Sequence, residues 1–282
     1  MFSLPDFDRF AFISATLTED LGTGGDITSA AVIPATAKFA ATMRARESMV
    51  LAGLPLAEDF FRALDSDVRV ERCASDGERV AAGAALMHIV GNARALLTAE
   101  RAALNTVQHL SGIATLTRRY VDAISNTGCT LLDTRKTTPG LRVLEKYATR
   151  MGGATNHRLR LDDAAMIKDN HVAVAGGVTE AVRRARVAGI ERIILEVDHL
   201  EQIELGIAAG ATHLLLDNMD AETLRTAVAL VAGRVPTEAS GGVNLETIRA
   251  KAQTGVTFIS VGKLTQSAPA VDIGLDFDLV AG

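Results

Sequence analysis

The sequence predicts an α/β protein in which a small α+β unit precedes an array of βα units that closes into a barrel. The first half has short strand patterns around one helix. The second half repeats a glycine, an apolar run and a polar residue every 21 to 23 residues. Parallel strands need helical crossovers, and continuous apolar runs suit strands covered on both faces. An open doubly wound sheet is the alternative, disfavoured because no G-x-G-x-x-G motif follows a strand.

Composition places the chain among ordinary folded proteins. It has 282 residues, 48% of them hydrophobic and 22% charged, which corresponds to one large domain or two modest ones. The net charge of −5 argues against general affinity for nucleic acid or an anionic membrane, so we expect neither as a partner. No window reaches the roughly 18 apolar residues of a membrane span, and the first residues lack the pattern of a secretory signal.

Two cysteines, Cys73 and Cys129, lie outside any C-x-x-C motif. Two isolated thiols cannot form a disulfide framework, so we expect a reducing, cytoplasmic setting.

The α+β unit is predicted over residues 38–90. Residues 39–46 alternate loosely between apolar and polar side chains, and residues 54–64 have helical apolar spacing. Residues 68–73 and 85–90 have the pattern of strands on either side of the turn signal Asp76-Gly77.

A long helix is predicted next. Thr98 is its expected N-cap, and residues 126–128 (Asn-Thr-Gly) end it. Its apolar face is expected to consist of Leu104, Val107, Leu110, Ile113 and Leu116.

Five glycines of the second half each stand seven positions before a chemically useful or small residue. The glycines are Gly128, Gly189, Gly210, Gly233 and Gly255. The residues seven positions later are Arg135, Glu196, Asp217, Ser240 and Gly262. Helical patterns such as 180–188 and 221–231 lie between the repeats. Because a barrel brings all strand C-termini to one rim, we expect these residues to share a site with Lys168, which follows the apolar stretch 164–167.

The rim residues include cations from a basic segment. Residues 134–161 contain seven Lys or Arg and one acid, a charge of +6 that leaves −11 for the rest of the chain. This segment suggests a small, strongly anionic ligand, since Tyr147 alone offers little for stacking nucleic-acid bases. A solvated face is the alternative, and the helical spacing of Lys146 and Arg150 favours it for those two.

The remaining rim residues are acidic or small. Glu196 and Asp217 offer the hard oxygens that suit Mg²⁺ beside substrate phosphates, although Asp217 could instead cap a helix. The Ser240-Gly241-Gly242 turn and Gly262 could cradle a phosphate through backbone N–H groups, or form plain βα turns. His157 is interpreted as a hydrogen-bond donor to an anion, and His171 is interpreted as a structural residue. Neither stands in a zinc-binding pattern.

Six motifs in order resemble the quinolinate phosphoribosyltransferase family. They are DTRKTTPGLR (133–142), GG followed by NHR (152–158), IKDNH (167–171), EVD (196–198), LDN (216–218) and EASGG (238–242). Residues 19–28, 100–115 and 267–276 resemble the family's opening, central helix and ending, so the resemblance covers nearly the whole chain.

The resemblance implies transfer of phosphoribosyl from PRPP to the ring nitrogen of quinolinate, with loss of one carboxylate as CO₂. Nicotinate mononucleotide and pyrophosphate are the other products, Mg²⁺ is the cofactor, and the pathway is NAD biosynthesis. The implied fold is that of a type II phosphoribosyltransferase. It comprises an N-terminal α+β open sandwich domain (1–110, joined by 268–282) and an incomplete TIM-like α/β barrel (111–267). A homodimer or higher homo-oligomer is implied.

The family's substrate-binding residues match positions in this chain. Arg135, His157 and Arg158 match binders of the two quinolinate carboxylates, for which the planar arginine fork is suited. Arg101 matches the residue that a neighbouring subunit inserts into the site. The positions that match the 5′-phosphate cradle are Ser240, Gly241 and Gly262.

Four residues match the family's catalytic positions. Lys136 and Lys168 match lysines near PRPP and the reacting carboxylate, and Lys168 also counts as substrate-binding. Glu196 and Asp217 match residues at the ribose and Mg²⁺, which they would hold directly or through water. The chain departs from the family pattern at Ala154, Arg160 and Gln266, which puts loop geometry and phosphate affinity in question.

Three other functions compete with this interpretation. A paralogous phosphoribosyltransferase-fold protein of molybdenum utilisation would act on another acid. An aldolase-like barrel would use Lys168 as a Schiff-base amine. A non-catalytic barrel would bind PRPP and release no CO₂.

Overall fold

The computed structural model describes Leu4 and residues 7–278. From the N-terminus the elements are α1 (Arg9–Leu21), α2 (Ile27–Val32), β1 (Lys38–Ala45), β2 (Met49–Val50), α3 (Leu54–Leu64), β3 (Arg69–Arg72), β4 (Arg79–Val80), β5 (Ala85–Asn92) and α4 (Ala93–Ala123). After α4 come β6 (Thr130–Leu132), α5 (Arg142–Met151), β7 (Ala165–Ile167), α6 (Asp169–Ala175), α7 (Val178–Val187), β8 (Ile193–Val197), α8 (Glu201–Ala209), β9 (His213–Asp217), α9 (Ala221–Val231), β10 (Thr237–Ser240), α10 (Ile248–Ala252), β11 (Phe258–Ser260), α11 (Lys263–Gln266) and β12 (Ile273–Asp278).

The chain forms two compact units. The first comprises Met1–Leu116, Val143–Gly153 and Ser267–Gly282, and the second comprises Thr117–Arg142 and Ala154–Gln266. This division differs from the expected ranges because α5 lies with the first unit rather than with the barrel. Within that unit, Tyr147 of α5 donates a 2.6 Å hydrogen bond to Asp76, and Glu145 pairs with His109 at 3.0 Å.

The first unit is built on an antiparallel sheet of order β12-β1-β5-β3, beside a two-stranded sheet of β2 and β4. Its core contains Phe60 and Phe61 of α3 with Met43 of β1 and Ile89 of β5, all fully buried. The predicted helix 54–64 and the strands predicted at 39–46, 68–73 and 85–90 are confirmed as α3, β1, β3 and β5. The C-terminal strand β12 completes the sheet by pairing with β1.

The predicted turn at Asp76 has a second role, because its carboxylate caps α3. It accepts backbone N–H bonds from Gly53 at 2.7 Å and Leu54 at 3.1 Å, which satisfies donors that the helix start leaves open. Burial and the neighbouring Asp76 carboxylate raise the pKa of Tyr147, so its hydroxyl stays a donor.

The long helix α4 begins earlier than predicted, so the choice of Thr98 as N-cap is wrong. Asn92 stands before the helix and accepts the N–H of Ala95 at 3.2 Å. Thr98 lies inside the helix and donates to the carbonyl of Arg94 at 2.8 Å. The predicted apolar face is buried at Leu104, Val107, Leu110 and Ile113.

The second unit is a partial α/β barrel. Six parallel strands have the order β6-β11-β10-β9-β8-β7, and Thr155 forms a parallel bridge with Leu132 on the far side of β6. The predicted α/β fold class and its barrel of βα units are therefore confirmed. All five repeat glycines have positive φ, between 73° and 102°. Gly210 ends α8 in the left-handed conformation, and the other four glycines follow their helices by two to five residues, in turns where positive φ favours glycine.

Two alternatives from the sequence are wrong. Asp217 does not cap α9, because Asp220 does so by accepting the N–H of Thr223 at 2.8 Å. This bond lowers the pKa of Asp220. Lys146 does not lie on a solvated face, since it is only 2% exposed, whereas Arg150 is exposed as expected. No helix in the described part of the chain has the length and apolarity to cross a membrane.

Gly112 in the middle of α4 provides a test of the first unit's packing. A Cβ at this position would lie 2.1 Å from the carbonyl oxygen of Pro269. We expect Gly112→Ala to lower the free energy of unfolding by about 1–3 kcal/mol, although alanine is normally the better helix former. Denaturant unfolding would measure this, with the exposed Asn105→Ala on the same helix as the control. Equal or greater stability of Gly112→Ala would contradict this packing.

Candidate active site

The second unit contains a cavity of about 660 Å³ at the carboxyl ends of its parallel strands. All five residues that the glycine repeat selected line this cavity: Arg135, Glu196, Asp217, Ser240 and Gly262. Lys168, which directly follows β7, lines it as well. The structure therefore brings these residues together around one cavity, and their roles in binding and catalysis stay predictions.

Cations occupy one part of the lining. Arg135 is half-buried, and its Nε is fully buried without a hydrogen-bond partner among the described residues. Arg158 donates to the carbonyl of Ala164 at 3.1 Å and to Sδ of Met166 at 3.3 Å. Burial lowers the pKa of Arg158, and the nearby charge of Arg135 lowers it further. Two arginines held near each other in this way favour an anionic ligand.

The two lysines of the site differ in their partners. Lys168 forms an ion pair with Glu196 on the neighbouring strand, where β7 and β8 pair in parallel register. The Glu196 side chain is 8% exposed, whereas that of Lys168 is 47% exposed. Lys136 is exposed at the rim, with its backbone carbonyl fixed by the hydroxyl of Thr265 at 2.7 Å.

The carboxylates Glu196 and Asp217 lie on the same face of the sheet. Glu196 pairs in register with Leu215, and Asp217 stands two residues later on β9. Asp217 also accepts a 2.5 Å hydrogen bond from the side chain of Asn218. Within the described residues no group of three or more His, Cys, Asp or Glu side chains could hold a metal. The two carboxylates nevertheless fit Mg²⁺, which commonly binds one or two carboxylates together with substrate phosphates.

The turn after β10 requires glycine at position 241. Gly241 has φ +83°, and a Cβ there would lie 2.0 Å from Oδ1 of Asn218. Asn218 itself has φ 54°, and its N–H donates to the carbonyl of Ser240 at 3.0 Å. Asn218 therefore lies over Gly241 while holding Asp217, and sequence reasoning gave it no role.

Asp133 fixes the loop that carries His157 and Arg158. It is fully buried, accepts the His157 N–H at 2.8 Å, and accepts the side chain of Asn156 at 2.5 Å. His157 lines the cavity, but both of its ring nitrogens have partners within the chain. Nδ1 accepts the N–H of Arg158 at 2.7 Å, and Nε2 lies 3.2 Å from Glu238. A direct contact of His157 with substrate stays a prediction, which this arrangement does not favour.

Glu238 is a fully buried residue of the cavity lining that sequence reasoning missed. It lies between His157 and His213, whose Nε2 is 3.0 Å from the same carboxylate oxygen. Burial alone would raise the pKa of Glu238, but its interactions with the two histidines lower it to about 2. Its position two residues before Ser240, on the same face of β10, was the available signal.

Other residues lie away from the cavity or keep structural roles. Arg101 is exposed on α4 in the first unit and does not line the cavity. His171 accepts the N–H of Lys168 at 3.0 Å, as expected of a structural histidine. Among the family departures, Ala154 has no positive φ and Arg160 is exposed, so neither distorts the loop, whereas Gln266 lines the cavity.

A partial α/β barrel whose strand ends gather cations, two carboxylates and a glycine turn defines an enzyme of the barrel type that handles anionic substrates. Comparison with known proteins assigns the family. Residues 113–276 match the quinolinate phosphoribosyl transferase C-terminal domain, and residues 26–111 match the N-terminal domain. The chain belongs to the quinolinate phosphoribosyltransferase family.

Individual relatives agree with this assignment. The nicotinate-nucleotide pyrophosphorylase [carboxylating] of Mycobacterium leprae is 45% identical over 272 residues, covering 94% of this chain and 95% of that protein. The chloroplastic enzyme of the same name from Oryza sativa is 42% identical, covering 97% and 79%. The crystal structure of NadC from Streptococcus pyogenes has a TM-score of 0.93 at 38% identity, covering 99% and 100%.

The contact between Gly241 and Asn218 can be tested with two neighbouring glycines. Both Gly241 and Gly242 have positive φ, but a Cβ at Gly242 meets nothing within 4 Å. We expect Gly242→Ala to cost about 1–2 kcal/mol of stability from backbone strain alone. Gly241→Ala should cost about 1–3 kcal/mol more, because Asn218 must move. Equal unfolding free energies for the two variants would show that this contact is unimportant.

Proposed function

We propose that the chain transfers the phosphoribosyl group of PRPP to the ring nitrogen of quinolinate and removes one ring carboxylate as CO₂. The products are nicotinate mononucleotide, CO₂ and pyrophosphate, as expected for a nicotinate-nucleotide pyrophosphorylase [carboxylating]. The observation that carries the proposal is the pair of arginines, Arg135 and Arg158, directed into a cavity that also contains Glu196 and Asp217. The family and the relatives' names support this reaction over the molybdenum-linked alternative.

Quinolinate binding requires paired cations. Burying a dianion without partners would be prohibitively unfavourable, so each ring carboxylate needs a guanidinium or ammonium group. Arg135 and Arg158 fit this need because the planar guanidinium binds a carboxylate through two parallel hydrogen bonds. Both arginines line the cavity in which quinolinate would bind.

Ribosyl transfer requires negatively charged groups beside the reacting carbon. The ribosyl carbon gains positive charge as pyrophosphate leaves, and Glu196 and Asp217 would stabilise it through fixed electrostatics. Mg²⁺ would be held by the same two carboxylates, directly or through water, together with PRPP oxygens, and would neutralise charge on the leaving pyrophosphate. Ser240, Gly241 and Gly262 would hold the 5′-phosphate through hydroxyl and backbone N–H groups.

Decarboxylation follows from the ribosylated ring. Once the ring nitrogen is bonded to ribose it is cationic, and it can take up the electron pair left when CO₂ departs. Lys136 and Lys168 would align PRPP and the reacting carboxylate, so the enzyme's contribution is alignment and preorganised charge. The ion pair of Lys168 with Glu196 argues against a Schiff-base role, which needs a neutral amine.

The cellular setting proposed is the cytoplasm. Cys73 and Cys129 are both free, and Cys73 is exposed. Burial raises the pKa of Cys129 to about 12, so that thiol is unreactive at neutral pH. An exposed free thiol is suited to a reducing compartment.

Release of labelled CO₂ is the direct test of the activity. The protein would be incubated with carboxyl-labelled quinolinate, PRPP and Mg²⁺, and the volatile label counted. Label release that depends on PRPP supports the proposal. PRPP binding without release would support the non-catalytic barrel, and a borohydride-trapped adduct would support the aldolase alternative.

Loss of a cavity cation should greatly reduce turnover. Arg135→Ala leaves a carboxylate unpaired, which costs about 2–5 kcal/mol and lowers kcat/KM by roughly 30-fold to several thousand-fold. Lys168→Ala should be comparably inactive. The control is Arg160→Ala, an exposed cation of the same basic segment outside the cavity, which should keep normal rates. Full activity of Arg135→Ala or Lys168→Ala would refute the proposed site.

We further propose a homodimer or higher homo-oligomer in which Arg101 serves the partner's site. The exposed position of Arg101 on α4 supports this arrangement. Arg101→Ala and Arg135→Ala proteins would each be inactive, whereas mixing them should restore about a quarter of wild-type activity, because one site of each mixed dimer is intact. Absence of recovery, with mixed dimers demonstrated by native mass spectrometry, would eliminate the shared site.

A further inference from the structure

A buried polar network lies beneath the cation-lined part of the cavity. It consists of His157, Glu238 and His213, which are 7%, 0% and 6% exposed, and it is called the buried network here. Both imidazoles approach Oε2 of Glu238, with Nε2 of His157 at 3.2 Å and Nε2 of His213 at 3.0 Å. The network joins two adjacent strands, β10 and the start of β9, to the loop after Thr155, which lies beside β6.

The geometry around His157 fixes its neutral tautomer. Because Nδ1 accepts the backbone N–H of Arg158 at 2.7 Å, the ring proton of a neutral imidazole belongs on Nε2, where it meets the Glu238 carboxylate. The Glu238 carboxylate thus orients the His157 ring, and the ring in turn orients the backbone N–H of Arg158. The side chain of Arg158 then reaches Ala164 and the cavity.

Structural stability alone does not account for the network. Oε1 of Glu238 is buried and has no hydrogen-bond partner among the described residues, and Nε2 of His213 lies 3.0 Å from Oε2 without good hydrogen-bond geometry. Buried polar atoms without partners cost about 1–3 kcal/mol each. Replacing buried ionic groups with apolar side chains of similar size is often neutral or stabilising. We therefore expect the buried carboxylate of Glu238 to have a role other than packing.

Charge supplies that reason. Arg135 and Arg158 repel each other, and separating them would relieve the repulsion at the expense of the anion site. Glu238 holds the loop that carries Arg158 through His157, so the two guanidinium groups stay close before any ligand arrives, which is preorganisation. Asp133 restrains the backbone of the same loop by accepting a hydrogen bond from the His157 N–H.

We propose that Glu238 is a positioning residue for the dicarboxylate subsite and acts through His157 on Arg158. This inference rests on the proposed function and identifies which subsite the buried network serves. It assigns no contact between Glu238 and substrate. The phosphate-binding turn at Ser240 and Gly241 is held by Asn218 instead, so PRPP binding should be independent of the network.

Steady-state kinetics would separate this role from a general structural one. For Glu238→Gln we expect the KM for quinolinate to rise at least about tenfold, the KM for PRPP to change less than about twofold, and kcat to fall less than kcat/KM for quinolinate. Glu238→Asp, which keeps the charge on a shorter side chain, should recover part of the loss. An unchanged quinolinate KM, or equal increases in both KM values, would overturn the proposal.

A double-mutant cycle tests the route through His157. If Glu238 acts through this ring, Glu238→Gln should change the quinolinate KM less than about twofold when introduced into His157→Asn. Additive effects of the two substitutions would overturn the proposed route. The kinetics also distinguish this inference from the proposed function. A wild-type protein that releases no CO₂ would refute the proposed function. Normal wild-type turnover together with an unaffected Glu238→Gln variant would refute only the positioning role.

A measurement on the wild-type protein covers the case in which Glu238→Gln does not fold. ¹⁵N NMR of histidine-labelled protein reports the tautomer of each ring, and His157→Asn assigns the relevant signal. We expect the Nε2–H tautomer for His157. A predominant Nδ1–H tautomer would overturn the proposal, because the ring could then neither donate to Glu238 nor accept from Arg158.

Discussion

The site depends on keeping several like charges close together inside one cavity. Arg135, Arg158 and Lys168 line the same space, and the lowered pKa of Arg158 reflects both its burial and the charge of Arg135. Such an arrangement persists only where the surrounding structure fixes it, because each cation would gain by moving toward water. Buried acids provide that restraint. Asp133 and Glu238 are both fully buried, and both are bonded to the loop that carries Arg158.

The barrel supplies the frame on which these charges are placed. In five of the βα units a glycine with positive φ stands in the turn before the strand, and the residue seven positions later lines the cavity. The strands and helices thus determine where the cavity positions lie, and the residue type at a single position of each unit determines the chemistry. This separation explains how cations, carboxylates and glycine turns can share one rim without disturbing the apolar strands behind them.

Much of this arrangement could be predicted from local sequence. The glycine period identified five cavity residues because it reports a physical requirement, a backbone position with positive φ in the turn before each of these strands. Helix α3 and strands β1 and β5 could also be predicted, since their apolar spacing reflects burial on one face. The resemblance to a known family added the roles of residues such as Arg101, which no spacing could suggest.

What local sequence could not provide was long-range pairing. The association of α5 with the first unit rests on the bond from Tyr147 to Asp76, 71 residues apart in sequence. The bond from His157 to Glu238 spans 81 residues. The start of α4 was misplaced because Asn92 and Thr98 are both acceptable caps, and only the tertiary structure distinguishes them. Buried acids were overlooked because the rim residues were chosen by period alone, although the alternation of β10 places Glu238 and Ser240 on one face.

The pair of Lys168 and Glu196 shows how the opposing charges of the site can coexist before substrate binds. Lys168 is half exposed, whereas Glu196 is almost fully buried, so the ammonium group can move away only if another positive charge takes its place beside the carboxylate. In the proposed reaction, anionic oxygens of the substrates draw the ammonium group away as the ribosyl group enters the cavity. Glu196, which is almost fully buried, is then left with its charge directed at the cavity. In the proposed reaction this carboxylate is uncovered at the stage when the ribosyl carbon becomes positive, so binding of the anions prepares the site for the cation that follows.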